Sequence, residues 1–411
     1  MSEGKEDGAS IAGILTASDL TYLADTETNC VSERSQRKTS AQKAQYTERQ
    51  TIVLLQNTGS DFISNKNSAL QFKLGLTGGT ATTSFGGGSV LNIFENIRVI
   101  SRSGDVLSDV SKVNLYNYYM NKIGQSFEAR SHQSGRVLLG YGTDYDSGFI
   151  DQNIVDGQEF IVPLRDLLPF FDDDVLLPSV VARGLRIEIT LASTASVFVD
   201  SAGSPVSAYT VDSPELLLDS YRLSSGAMNA LNSMAAKDGL VLTFKDVDSS
   251  QTLKTASQTK VSIEVTQAVS MANSVITAIR PHSDNELITA DSFATKATTA
   301  TDSYQYRIGS VYLPQESIVG SKQYYNQMKY CFDRLNTGKE LSIRHNEFGK
   351  NNLAVACLDR YWTSGSGLAI NASTVLNFKT TVATGTESDV DIFLCHTRRV
   401  VCFLESLRVL T

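Results

Sequence analysis

Glu159-Phe-Ile-Val-Pro-Leu-Arg-Asp-Leu-Leu-Pro-Phe-Phe171 and, shortly after it, Leu176-Leu-Pro-Ser-Val-Val-Ala-Arg-Gly-Leu-Arg-Ile-Glu-Ile-Thr-Leu191 carry more structural information than any other part of the chain. Leu185-Arg-Ile-Glu-Ile-Thr-Leu191 alternates apolar and polar residues without a break. That is the period-2 pattern of a strand with one buried face. Proline has no amide proton to give a ladder, so Pro163, Pro169 and Pro178 belong at strand ends or in a corner between strands. Leu164 follows the first of them, and Phe170 and Phe171 are placed to close one end of a β-sandwich.

Working outward, short alternating runs recur in both directions. Upstream are Thr51-Ile-Val-Leu-Leu55, Ala69–Leu76 and Asn96-Ile-Arg-Val-Ile-Ser101; downstream lies Glu215–Leu223. Val113, Tyr116, Met120 and Ile123 follow helical spacing and predict one short helix face. Ser224–Ala236 is small, polar and mildly helical, and is read as a linker. Beyond it come Gly239–Phe244, Val261–Thr266, Val275–Ile279 and Tyr304–Leu313, the last ended by Pro314. A second helix face, Tyr324, Met328, Cys331 and Leu335, precedes the final strands, Leu353–Leu358, Val375–Val382, Asp389–Leu394 and Val400–Val409. The class is therefore mainly β, with about seven or eight strands and one inserted helix in each half. Eight strands in two packed sheets make a jelly roll. The expected architecture is two tandem eight-stranded jelly-roll β-sandwiches with short inserted helices: residues 47–223, a linker at 224–236, and residues 237–411.

Residues 1–46 show no sustained period and are read as an N-terminal arm. Ile11–Leu15 and Leu20–Leu23 are apolar patches within it. Arg34, Arg37, Lys38, Lys43 and Arg49 stand against Glu48 alone, a local balance of +4. Two roles fit: a solvated arm, or a basic tether for an acidic surface or a neighbouring subunit. Asp144–Asp174 is the opposite case, with nine acids against Arg165. A solvated outer loop accounts for it, since the spacing of Asp144, Asp146 and Asp151 is not that of an EF-hand. Gly78–Gly79 and Gly86–Gly88 lack dinucleotide-fingerprint spacing and read as a mobile loop or sharp bend.

The 411 residues carry 36 Lys and Arg against 44 Asp and Glu, a net charge of -8. A surface coating nucleic acid throughout needs a basic excess, so that class is disfavoured. No apolar run approaches the roughly 20 residues of a membrane-spanning helix. MSEGKEDGASIAG shows no secretory pattern, and synthesis and retention inside a cell is expected. Cys30, Cys331, Cys357, Cys395 and Cys402 are few and unpatterned, and read as reduced thiols. The histidines His132, His282, His345 and His396 are far apart. Cys395-His396 with Cys402 does not match structural zinc spacing. No nucleophile elbow, Walker loop or HExxH occurs. Asn371-Ala-Ser373 fits a glycosylation sequon that a non-secreted chain does not use. No catalytic, metal or cofactor site is expected. The remaining alternatives are a carbohydrate-binding or adhesion pair of sandwiches and a hydrolase on such a scaffold.

The Pro-Leu step at Pro163-Leu164, the aromatic pair Phe170-Phe171, the Leu-Pro step at Pro178 and the strand after it together resemble the first domain of double jelly-roll major capsid proteins. That family builds the shells of polinton-like viruses, virophages, adenovirus-like viruses and several large DNA viruses. Ile97–Leu107 with its Tyr-rich helix, and Tyr306–Pro314 with the helix after it, resemble further parts of the pattern. The Trp that large-virus members carry at the Pro-Leu step is absent, since Trp362 is the only Trp; a small virus or polinton-like element fits better. The resemblance implies a homotrimeric, pseudo-hexagonal capsomer in an icosahedral virion. It implies contacts with neighbouring capsomers and with minor capsid or penton proteins. Through the N-terminal arm it also implies contact with an inner membrane or the genome.

Overall fold

Ile187, Ile189 and Leu191 are fully buried while Arg186 is exposed, so the alternation around them is that of a sheet strand over a core. In the computed structural model, residues 31–410 are described apart from 57–60, 81–82, 125–153, 155, 172–175, 201–204, 238, 266–267, 286–291, 297, 336–351, 359–366, 371–375, 382–386 and 404–406. Eight principal strands build the first half: β1 (Val31–Ser40), β2 (Thr51–Leu55), β3 (Phe62–Gly78), β4 (Phe94–Ile100), β5 (Val106–Val110), β6 (Gln158–Pro163), β7 (Arg186–Leu191) and β8 (Val206–Leu223). Eight more build the second: β9 (Leu240–Lys254), β10 (Lys260–Val265), β11 (Val269–Pro281), β12 (Ser303–Ile308), β13 (Val311–Val319), β14 (Leu353–Cys357), β15 (Leu376–Thr381) and β16 (Ser388–Cys402).

The first-half sheets run β1-β8-β3-β6 and β2-β7-β4-β5. Those of the second half run β9-β16-β11-β14 and β10-β15-β12-β13. The second order is the first with eight added to every label, so one topology is repeated. Each neighbour pair is antiparallel. Both halves are jelly rolls. Their helices fall at matching places: α1 (Val113–Gly124) follows β5, and α3 (Gly320–Leu335) follows β13. Between the halves runs α2 (Ser225–Lys237).

Aromatic rings fill both cores. Phe72 meets Phe94 edge-on at 5.7 Å and Phe160 at 5.9 Å in the first sandwich. Tyr304 and Tyr306 do this work in the second, each buried and each needing a partner for its hydroxyl. Tyr304 donates to the Val355 carbonyl at 3.0 Å and Tyr306 to the Ala354 carbonyl at 2.8 Å, which ties the two sheets together. Tyr324, Met328 and Cys331 of α3 are buried as their spacing predicts.

Two expectations change. Residues 31–40 are not arm but strand β1, paired with β8 from Val31–Leu223 to Ser40–Glu215 with one bulge between Val31 and Glu33. The first sandwich thus begins ahead of residue 47. Period-2 analysis misses β1 because VSERSQRKTS has almost no apolar side chains to reveal it. Tyr304–Leu313 is likewise not one strand, since Gly309, at φ 59°, turns the chain between β12 and β13. Pro314 sits inside β13, tolerated there because β13 is a sheet edge. Of the two readings of the glycine stretch, Gly86–Gly88 takes the sharp bend and is buried: Gly87 has φ 68°, and a Cβ there would collide with the Asn92 side-chain amide. The patches Ile11–Leu15 and Leu20–Leu23 lie outside the described residues. So do Asp144, Asp146, Asp151, Asp172–Asp174, His132, His345, Trp362, Asn371 and Cys30.

Candidate functional site

The proline corner is built from short turns. After β6 ends at Pro163, Leu164–Leu167 forms a single helical turn that the Leu168 amide closes onto the Leu164 carbonyl at 3.2 Å. Pro169–Phe171 makes a 3-10 turn, with the Phe171 amide on the Leu168 carbonyl at 3.0 Å. Pro178 starts another turn by accepting from the amides of Val181 and Ala182 at 2.9 and 2.8 Å. Leu164, Pro169, Phe170, Phe171 and Pro178 are buried, and Pro163 is half-buried. Phe170 stands edge-on to Phe171, with centroids 4.9 Å apart, and to Phe244 of β9 at 4.6 Å. The corner therefore does more than close the first sandwich. It docks on the second.

Phe244 belongs to a long seam between the jelly rolls. Ser108 of β5 donates to Asp246 of β9 at 2.6 Å, and Arg398 of β16 pairs with the same carboxylate at 3.2 Å. Arg398 also donates to the Leu107 carbonyl at 2.9 Å, and Ser249 to the Ser111 carbonyl at 2.7 Å. From α1, the rings of Tyr116 and Tyr119 lie 5.8 and 6.3 Å from Phe393, and the Tyr119 hydroxyl donates to the Phe293 carbonyl at 3.1 Å. Burial pushes the Asp246 carboxyl up, against the opposing pull of Arg398 and Ser108. Arg398 reaches Asp246 from the neighbouring strand of the same sheet, and the Ser108 hydroxyl reaches it from the other sandwich.

Farther along the seam, Arg280 donates to Asp391 at 2.7 Å, to Asn285 at 3.0 Å and to the Ser292 carbonyl at 2.6 Å. His282 meets Asp389 at 3.0 Å. These groups border a cavity of about 730 Å³ that Arg49, Glu95 and Lys112 line from the first sandwich, and Leu253, His282 and Asp389 from the second. Glu95 pairs with Lys112 within the first sandwich, and Asp389 with His282 within the second.

Three residues of the basic stretch lie beside acids of their own sandwich. Arg34 makes a two-point contact with Asp219 at 2.9 and 3.0 Å, Arg37 pairs with Asp61, and Lys38 lies 3.6 Å from Glu215. Burial disfavours the Asp219 charge, but hydrogen bonds from Arg34, Asn67 and Tyr221 outweigh it and hold the carboxyl below its ordinary range. Lys43 lies over the Tyr46 ring at 5.9 Å. Arg49 lines the seam cavity instead. The five residues form no common patch, because β1 hands three of them to acids of its own sandwich. Burial also raises the thiols of Cys395 and Cys402, to about 11 and about 12 respectively, as suits core cysteines. His396 lies 3.2 Å from Asp248.

Asp246, Arg398, Arg280 and Asp391 escape sequence reasoning. Around each, the alternation matches that of a strand whose polar side meets water, and no local signal says that a second sandwich covers it. Phe244 is visible as an apolar strand residue, but its partner Phe170 lies 74 positions away.

No protein-family model and no curated protein matches the chain. Solved structures do. The PBCV-1 virus capsid protein superposes with a TM-score of 0.64 at 11% identity, over 92% of this chain and 97% of that one. The Faustovirus major capsid protein gives 0.63 at 10% identity, over 90% of each chain. The mavirus major capsid protein gives 0.53 at 8% identity, over 91% and 90%. This chain has the double jelly-roll fold of viral major capsid proteins. At such identities the likeness lies in topology, and the double jelly roll is recovered over nearly the full length of both partners. The seam is the part of this double jelly roll that makes one body of two repeats.

Proposed function

We propose that the chain is a viral major capsid protein, a structural protein rather than an enzyme, located in an icosahedral virion. Three copies associate into a pseudo-hexagonal capsomer. One observation carries this: two sandwiches of the same strand order are locked side by side in a single chain by hydrogen bonds and aromatic contacts. Two such wedges per chain make six around a threefold axis, the shape that tiles a hexagonal lattice. Neighbouring capsomers are the immediate partners. Contacts with minor capsid or penton proteins, and with an inner membrane or the genome through residues ahead of Val31, belong to the same proposal. The resemblance supports those contacts; the basic residues of β1 do not, being engaged within the sandwich.

Light scattering of the purified protein tests the proposal. The expected mass is three times the 44.7 kDa chain, with hexagonal particles in electron micrographs. A monomer at micromolar concentration overturns it.

A further inference from the structure

The outer face of the β10-β15-β12-β13 sheet carries a charge pattern that its counterpart in the first sandwich lacks. Arg98 of β4 and Arg307 of β12 hold the same place. Each is the exposed residue after a buried Ile97 or Tyr306, on the third strand of its sheet. Across the ladder from Arg98 stand two acids, Asp109 of β5, 3.4 Å away, and Glu188 of β7. At Arg307 both acids are gone: Tyr312 of β13 stands on one side and Asn377 of β15 on the other. The diagonal neighbour two residues beyond changes as well, from Thr190 to Lys379. The outcome is two cations on one ring. The Arg307 guanidinium lies 5.9 Å from the centre of the Tyr312 ring, and the Lys379 ammonium 5.6 Å. All three side chains are exposed. Among the described residues neither cation has an ion-pair partner, and Arg307 donates from Nε to the Gly309 carbonyl at 2.8 Å. Glu264 of β10, the acid opposite Asn377, pairs with neither. The ring attracts each cation, yet like charges held this close repel unless an anion joins them.

We propose that Arg307, Lys379 and the Tyr312 hydroxyl form a binding site for a phosphate monoester. A guanidinium presents a planar fork that matches two phosphate oxygens, and an ammonium adds a point charge for a third. The phenol supplies one more donor. A phosphate monoester carries about two negative charges at neutral pH, one for each cation. A sulfate monoester or a carboxylate carries one and leaves a cation unanswered. The site lies on one sheet of one sandwich, so it is complete in a single chain and is independent of how copies associate.

Calorimetric titration of the full chain with glycerol 3-phosphate and with methyl sulfate, at fixed ionic strength and slightly alkaline pH, tests this. The phosphate ester is expected to bind about tenfold more tightly than the sulfate ester. Tyr312→Asp/Asn377→Glu restores the two acids of the first sandwich. It should abolish binding and keep the melting temperature, because Asp109 and Glu188 already occupy these register positions in an intact ladder. Arg307→Gln/Lys379→Gln should weaken binding about tenfold or more, while Lys237→Gln on α2 should leave it unchanged. Equal affinity for the two esters, no binding of the phosphate ester, or binding that survives the restored acids overturns the proposal. If the restored-acid variant fails to fold, Arg307→Gln/Lys379→Gln decides: unchanged affinity there sinks the site.

Discussion

Phe170 sits where one sandwich's corner becomes the other's neighbour, touching Phe171 on its own side and Phe244 across the seam. Its removal opens a cavity that two rigid sheets cannot both relax into, so Phe170→Ala should cost about 3–5 kcal/mol in urea denaturation. Phe170→Leu should cost less. Glu48 acts differently. Its carboxylate accepts from the Thr194 amide at 2.6 Å and the Thr194 hydroxyl at 2.7 Å, and these bonds hold its pKa below the ordinary value. Ser193 gives the turn Thr194–Val197 no side-chain cap, so Glu48 supplies one from far along the chain. A carboxyl with a depressed folded pKa stabilises the fold above its unfolded pKa and loses that contribution as pH falls through the folded value. Glu48→Gln should therefore lower stability near neutrality by about 0.5–1 kcal/mol. The gap to wild type should close in acid, as read from melting temperatures between pH 7 and pH 3. A constant gap would show that the charge is not what matters.

β1 is the element that most changes expectations about the chain. It is an edge strand with a ladder to β8 and ion pairs to Asp219, Glu215 and Asp61, so its stability comes from β8, far along the chain, and from Asp61 rather than from its own apolar pattern. Deleting residues 1–40 should strip β8 of its neighbour, leave buried Asp61 with Arg222 alone, and expose a long unpaired edge. The expected result is a lower melting temperature and aggregation, measured by scanning calorimetry and light scattering. A soluble protein with an unchanged melt would show that β1 is dispensable. The helices were easier to foresee: Val113 and Tyr116 in α1, and Tyr324, Met328 and Cys331 in α3, line one face each and are buried on it.

Across the whole molecule, the seam makes the two jelly rolls a single body, and the Asp246–Arg398 pair is its most sharply testable part. Asp246 is almost wholly buried and Arg398 is 18% exposed. Arg398→Ala strands a buried carboxylate and should cost about 3–5 kcal/mol in thermal or denaturant unfolding. Asp246→Leu/Arg398→Ala should recover much of that, because the stranded charge is gone. Equal losses in the single and double variants would mean that packing, not charge, sets the cost. The same pair explains why the seam resists prediction, since neither residue differs locally from one on a water-facing strand.

The class, the helices, most strands and the proline corner were legible in the sequence because each depends on local chemistry. Alternation reports a half-buried strand, proline cannot donate to a ladder, and a run at helical spacing reports one buried face. The strand status of Val31–Ser40, the engagement of Arg34, Arg37 and Lys38 by acids of their own sandwich, and the conversion of Phe170, Asp246 and Arg398 into seam residues depended on the tertiary structure. Each is defined by a partner remote in sequence, and the pattern of one strand holds no information about which surface will be pressed against it.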